Sequence, residues 1–430
     1  MVKTIVLIGA GSAMFTQGLV ADLILTKKNW RLCLVDIDPQ ALQVAQGLAQ
    51  RMIRYKDAPI SLLASTERSA MLRGADYVVT TIGVGGRTAW LADVQIPRRY
   101  NIYQPVGDTT MAGGISRAMR MIPALVEIAN DVKRLCPQAL FVNYANPMSV
   151  NCWAIRQATD VPVVGLCIGT YDVERELAHL MGYDPSECTF NSAGINHFTW
   201  VYGFKYRGED AWPAVRRHIA AHPPEHNRFS WSLFEAYGAY PAVNDRHVTE
   251  FFPQRFPNGY YYGNTLGVSA FSLEQTIEYG QRIYEHMGAL ARGDEPINER
   301  LFERAEGEHG QLTEMIDSIE QDAARRYAAN LPNAGLIPQL APNAILEATC
   351  RADRDGFTHL PTEGLHPALV APLMQRIAVH DLTVQAALTG ERKLLVEAML
   401  LDGCISDPVS AERLVDDLLQ AQKAFLPQFA

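Results

Sequence analysis

Short apolar runs, each followed by apolar positions at helical spacing, set the rhythm of the first half of the chain. Residues 4–8 form a β-branched run that stops at Gly9, after which Phe15, Leu19 and Leu23 recur every fourth position. Further strand-like runs cover 31–37, 77–82, 140–144 and 161–166. Ile115, Met119, Ile122, Leu125, Ile128, Val132 and Leu135 keep one face of a long helix apolar, and Val173, Leu177 and Leu180 repeat the pattern after the last run. Short apolar runs predict buried strands, and recurrence near 3.6 residues predicts helices. Their alternation predicts right-handed βαβ units and a parallel sheet.

The rhythm changes near residue 195. Aromatic-rich pieces at 198–206 and 253–262 are strand-like, with a break at Pro223-Pro224 between them. From 272 onward the pattern is mostly helical, over 272–294, 311–329, 367–389 and 391–400, with a Pro/Asn-rich strip at 331–343. The expected fold is α/β: a parallel-sheet domain over 1–195, then an α+β, mostly helical domain over 196–430. No stretch is long or polar enough to leave the halves independent, and the C-terminal helices are free to pack back on the first.

Bulk properties narrow the function classes. A chain of 430 residues exceeds one small core. A formal charge of −9 argues against nucleic acid and gives no polybasic stretch for a membrane. Seven scattered cysteines are the usage of a reducing compartment. No window has the uninterrupted apolar length of a membrane span. The expectation is a soluble, cytoplasmic protein acting on a small molecule.

Candidate chemistry gathers at the ends of the predicted strands. Gly9-Ala10-Gly11-Ser12 lies between a strand and a helix, where glycines permit a tight turn and the helix N-terminus faces a pyrophosphate. Asp36 closes the next strand, placed to take both ribose hydroxyls, which favours NAD over NADP. The usual third glycine is missing: Met14 and Phe15 stand there, so helix and strand must pack differently. Thr81, near the end of the third strand, and Gly83, just after it, lie at the same edge. Val106-Gly107-Asp108-Thr109, Asn143-Tyr144-Ala145-Asn146-Pro147-Met148 and Leu166-Cys167-Ile168-Gly169 should converge there, because ligands bind outside the carboxyl ends of strands in open α/β sheets. Asn146, before a proline, is held extended and can aim its amide into the crevice. A thiolate from Cys167 and an imidazole from His197 suit a transition-type divalent metal.

These segments, taken in order, resemble glycoside hydrolase family 4, the NAD- and divalent-metal-dependent glycosidases. The resemblance rests on Gly9–Ser12 with Asp36, Gly107-Asp108-Thr109 with Gly113-Gly114, Asn143 with Asn146-Pro147-Met148, Cys167, and Gly194-Ile195-Asn196-His197. Asp245-Arg246-His247-Val248-Thr249-Glu250 and Gly364-Leu365-His366-Pro367 extend it across nearly the whole chain. It implies a Rossmann-like domain followed by a second domain in a lactate/malate dehydrogenase-like architecture, and a homodimer or homotetramer. It implies NAD and Mn2+ (or another divalent metal) as cofactors, with Cys167 and His197 as metal ligands.

The implied reaction is oxidation of the sugar C3, deprotonation at C2, elimination of the C1 substituent and addition of water, an exception to two-carboxylate hydrolysis. Asp245 is the implied C2 base with Tyr240 as competitor, Asp108 the candidate proton donor to the leaving oxygen, and Asn143, Asn146 and His247 the candidate sugar contacts. Two positions depart from the family pattern. Ile168-Gly169-Thr170 follows Cys167 where a polar residue is usual, and Thr110-Met111-Ala112 stands where a Gly-Pro pair is usual. The expected substrate is an α-linked glucoside, galactoside or galacturonide. The alternative functions are a plain NAD-dependent 2-hydroxyacid dehydrogenase, which would need no metal, and a non-catalytic NAD-binding sensor.

Overall fold

Residues 2–303 and 311–429 are described by the structure, a computed structural model. Six strands, β1 (Lys3–Ile8), β2 (Trp30–Val35), β3 (Ile60–Ser65), β4 (Tyr77–Thr80), β5 (Leu140–Asn143) and β6 (Val163–Gly165), run parallel in the order β3-β2-β1-β4-β5-β6. This is the doubly wound dinucleotide-binding order, with its switch point between β1 and β4. The sheet then continues into the second half of the chain. β7 (Cys188–Ile195) and β8 (Phe198–Tyr206) form a hairpin, and β9 (Glu209–Asp210) and β10 (Tyr240–Ala242) pair with β8. β11 (Tyr260–Tyr261) and β12 (Asn264–Thr265) make a separate small ladder. β13 (Arg325–Pro332) and β14 (Ile345–Asp353) insert antiparallel between β6 and β7, with β15 (Gly356–His359) on β14. Every strand but β11 and β12 thus belongs to one 13-stranded sheet.

The apolar runs are continuous because both sheet faces are covered. Along β1, Val6 and Ile8 face one core while Ile5 and Leu7 face the other, as the two-residue pleat requires. The helix Met111–Leu135 lays Ile115, Met119, Ile122, Leu125 and Val132 into the first core, with Leu373 and Ile377 from the helix Pro367–Thr389. Leu19 and Leu23, with Leu48 and Met52 of the helix Pro39–Tyr55 and Met315 and Ile316 of the helix Leu312–Gln321, build the second. The C-terminal helix Pro408–Gln422 returns to the first half, where Gln422 donates to Asp93 at 3.0 Å and Asp417 accepts from the Tyr100 hydroxyl at 2.9 Å.

Two expected elements differ. The helix expected over 311–329 ends at Gln321, and 325–332 is strand β13 instead. Asp322 and Ala324 adopt positive φ, 54° and 52°, which breaks the helix. The following Ala- and Arg-rich stretch then finds β6 on one side and β14 on the other, and ladder pairing on both sides overrides its helix propensity. The strip expected at 331–343 accordingly begins inside that strand. The strand expected over 253–262 is mostly two 3-10 turns, Pro253–Arg255 and Pro257–Gly259, because two prolines remove ladder donors. No helix among the described residues is long and apolar enough to cross a membrane.

Asp93 and Arg120, both with fully buried side chains, form a bidentate pair joining the helix Gly86–Arg98 to the helix Met111–Leu135. Ser116 and Gln422 also donate to Asp93 Oδ1, at 2.8 and 3.0 Å. Asp93→Ala would strand a buried guanidinium and is expected to cost about 3–5 kcal/mol of folding free energy, read as a lowered urea midpoint.

Candidate active site and dinucleotide loop

The turn after β1 passes hard against the exit of β4. Gly9 has φ +93°, and a Cβ there would lie 2.9 Å from both Thr81 C and Ile82 N, so only glycine fits. The Thr81 hydroxyl donates to Gly9 O at 3.0 Å. The Gly11 N–H donates to Asp36 Oδ2 at 2.7 Å and the Asp38 N–H to Oδ1 at 3.0 Å. Asp36 is half-buried, and a carboxylate with one donor on each oxygen still has lone pairs for a diol. The replacement of the third glycine has a clear outcome. Phe15 is buried with its ring 4.7 Å from that of Tyr144, the helix starts at Thr16, and Met14 is left exposed. Ser12 closes the turn, its N–H donating to Gly9 O at 3.0 Å. Gly83 leaves room beside the Arg117 guanidinium.

Asp108, His197 and His247 each offer a donor atom within 4.8 Å of the others. The Asp108 loop is pinned from below: Glu250 Oε1 accepts from Val106 N and Gly107 N at 2.7 and 2.8 Å. Burial lifts the Glu250 carboxyl to about 8, against the pull of those two N–H groups. The loop also rests on the helix behind it, where a Cβ at Gly114 would lie 2.3 Å from Thr109 C. His197 sits in the tight turn between β7 and β8 at φ +66°, a left-handed conformation unusual for a side-chain-bearing residue and one that clusters at functional sites. Its ring lies 4.1 Å from that of His247.

Hydrogen bonding fixes the His197 tautomer. The Thr109 hydroxyl lies 2.7 Å from Asp108 Oδ1 and 2.7 Å from His197 Nδ1. Its single proton goes to the carboxylate, which can only accept, so Nδ1–H of His197 must donate to Thr109. The Nε2 lone pair is left for a ligand. Burial lowers His197, and burial followed by the neighbouring His197 lowers His247 well below the usual histidine range. Burial alone would raise Asp108, but any positive charge on His197 or His247, the Arg117 guanidinium and the Thr109 hydrogen bond hold it below the usual carboxylate range. At neutral pH the cluster is therefore one carboxylate and two neutral imidazoles, a fitting donor set for a hard-to-borderline divalent ion. Two buried atoms beside it have no hydrogen-bond partner among the described residues: His247 Nδ1 and Asn146 Oδ1. The Asn146 amide donates to Asp108 Oδ2 at 2.9 Å.

The remaining expected site residues fall in different places. Cys167 is buried at the end of β6 with the Gly169 N–H 3.4 Å from its sulfur, but it is not one of the three mutually close donors. Asn143 is fully buried, and its amide is spent inside the protein on Ala145 and Thr80, shaping the turn that presents Asn146. Asp108, expected to protonate a leaving oxygen, is ionised at neutral pH and better suited to hold a cation. Asp245 is fully buried and accepts from Phe229 N, Ser230 N, the Ser230 hydroxyl and the Tyr261 hydroxyl, at 2.9, 2.7, 2.7 and 2.5 Å. Both oxygens thereby clamp the start of the helix Arg228–Tyr237. Tyr240 is buried, donates to Asn244 Oδ1 at 2.8 Å, and burial pushes its phenol well up. Arg117 escaped the sequence reading as a site residue; Thr109, inside a segment expected to converge here, and Glu250, three residues past His247 and close enough to share a ligand with it, were given no definite role.

The model "Family 4 glycosyl hydrolase" matches residues 4–183, and "Family 4 glycosyl hydrolase C-terminal domain" matches 192–405. The chain is similar to an alpha-galactosidase of Bacillus subtilis, 29% identical over 99% of this chain and 100% of that one. An alpha-galacturonidase of Lachnoclostridium phytofermentans is 30% identical over 98% of this chain and 96% of its own. The solved structure of a 6-phospho-alpha-glucosidase from gut microorganisms, in complex with NAD and Mn2+, superposes with a TM-score of 0.86 over 100% of both chains at 18% identity, a likeness of fold. With both halves matched and the cluster at the sheet edge, the chain belongs to the family 4 glycosyl hydrolases.

Proposed function

We propose that this protein hydrolyses an α-linked glycoside with NAD and a divalent metal ion as cofactors, through C3 oxidation, C2 deprotonation, elimination and water addition. The observation that carries this reading is the Asp108–His197–His247 cluster, in a chain that also holds a glycine turn whose Gly11 N–H donates to Asp36. When bound, NAD and the ion would supply reversible hydride transfer and Lewis acidity.

The chain's own residues bind, orient and order. Gly9, Gly11 and Ser12 let the backbone approach a pyrophosphate, and Asp36 accepts the ribose hydroxyls. His197 Nε2, Asp108, His247 and, following the family pattern, Cys167 would hold the ion. Asn146 Oδ1 offers a buried acceptor to a sugar hydroxyl. Ile168, at the head of the helix Gly169–Leu180, carries no proton to give. Departure of the C1 substituent therefore draws no help from that position. The activities of the relatives, alpha-galactosidase and alpha-galacturonidase, support an α-galactoside or α-galacturonide, and an α-glucoside is the next candidate.

The test is a panel of aryl α-glycosides with NAD, Mn2+ and a thiol in D2O. Hydrolysis with solvent deuterium at C2, and loss of activity with EDTA, is the expected result. Full retention of the C2 hydrogen would overturn the mechanism, and metal-independent, stoichiometric formation of NADH would point to the dehydrogenase. Asp245→Asn places an amide against donors and is expected to cost about 3 kcal/mol of stability while C2 exchange persists. Lost exchange in a folded Asp245→Asn protein would instead make Asp245 the base.

A further inference from the structure

Glu347, on β14, is almost fully buried, and its carboxylate collects four hydrogen bonds from four separate elements. Oε1 accepts from the hydroxyls of Thr170 and Thr199, and Oε2 accepts from the amides of Asn196 and Asn330, both at 2.8 Å. Thr170 stands in the first turn of the helix that follows Cys167, Asn196 immediately precedes His197, and Thr199 begins the strand that leaves it. Asn330 lies at the junction of β6 and β14, register partner of both Gly165 and Glu347. Among the described residues no lysine or arginine pairs with this carboxylate. A buried anion solvated only by neutral donors is expensive to keep, and shape alone does not call for it. An amide side chain would satisfy the same partners, because the two threonine hydroxyls can turn to accept.

We infer that Glu347 is a positioning residue of the metal site: it locks the segments bearing Cys167 and His197 together and places a fixed negative charge behind them that strengthens binding of a divalent cation. The inference rests on the metal-dependent reading above. The arrangement follows the general pattern in which groups behind the ligands orient them and tune the ion.

The test compares parent and Glu347→Gln for Mn2+ affinity, read by electron paramagnetic resonance of free Mn2+, for NAD affinity, and for the urea midpoint of the metal-free protein. The expected result is Mn2+ affinity reduced about tenfold or more, NAD affinity unchanged, and metal-free stability equal to or above that of the parent. A purely structural role predicts the reverse pattern, lower stability with Mn2+ affinity preserved, and would overturn the proposal. Should Glu347→Gln not fold, Thr170→Val keeps the charge and removes one donor. A loss of Mn2+ affinity beyond about threefold with NAD affinity unchanged supports the positioning role, and affinity within about threefold of the parent overturns it. A parent that binds no Mn2+ would instead refute the metal-dependent function itself, so the two failures are separable.

Discussion

His197→Ala is expected to weaken Mn2+ binding by more than about 100-fold and to bring glycoside turnover to background, with NAD binding intact. His197 is held on both sides: its backbone by the turn between β7 and β8, its Nδ1 by Thr109. Removing the ring removes a ligand that was delivered already in the right tautomer. The same logic makes Thr109→Val informative. It leaves the imidazole in place but deletes the hydroxyl that accepts from Nδ1–H and donates to Asp108. Mn2+ affinity is expected to fall about 10–100-fold in Thr109→Val and to return in Thr109→Ser. Equal affinity in the valine variant and the parent would show that the hydroxyl does not set the tautomer. Because burial lowers both imidazoles, protons are expected to compete with the ion only below the ordinary histidine range.

Acid stability is expected to be governed in large part by His380, which lies in the helix Pro367–Thr389 behind Thr109 and Thr110. Neither of its ring nitrogens has a hydrogen-bond partner among the described residues. Burial, with a smaller push from Arg376, lowers it to about 3. The unfolded chain takes up this proton near 6.5, the ordinary histidine value. Its stabilising contribution is therefore whole above about 6.5 and is lost as pH falls toward 3, at about 1.4 kcal/mol per pH unit. His380→Leu removes the titration, fills the apolar surroundings and should be about 2 kcal/mol more stable than the parent at pH 5. Urea unfolding of both proteins at pH 5 and 7.5 reads this directly. Parallel pH profiles would show that His380 finds a partner or water in the folded state.

Asp402 illustrates why distant sequence matters to the same loop. Its carboxylate accepts from the Thr110 hydroxyl at 3.0 Å and pairs with Arg376, which also donates to Phe251 O at 2.7 Å. The loop that carries Asp108 and Thr109 is thus tied to the C-terminal helices. Thr110 and Met111, the departures noted in the sequence, are the residues that make the tie: Met111 N also points at Asp402. Substitutions at Asp402 should accordingly disturb the metal cluster although it belongs to a helix far along the chain.

By itself the sequence determined the parallel sheet, its glycine turn, Asp36 and the segments that end at Asp108, Asn146, Cys167 and His197. Those features are local: an apolar run, a glycine and a polar residue at a strand end are read within a few positions, and the strand order brings them to one edge. Tertiary structure alone decided the rest. Residues 325–332 became a strand because two neighbours offered ladders, against their own propensity. Asp245 became a clamp because helix donors from 229 and 230 reach it before any ligand could. His247 joined His197 and Asp108, and Glu347 came to lie beneath two loops, only because chain segments remote in sequence were packed together. The reason is physical: propensity and periodicity act over one or two turns of chain, whereas burial, charge and the direction of a lone pair are set by whichever neighbours the fold delivers.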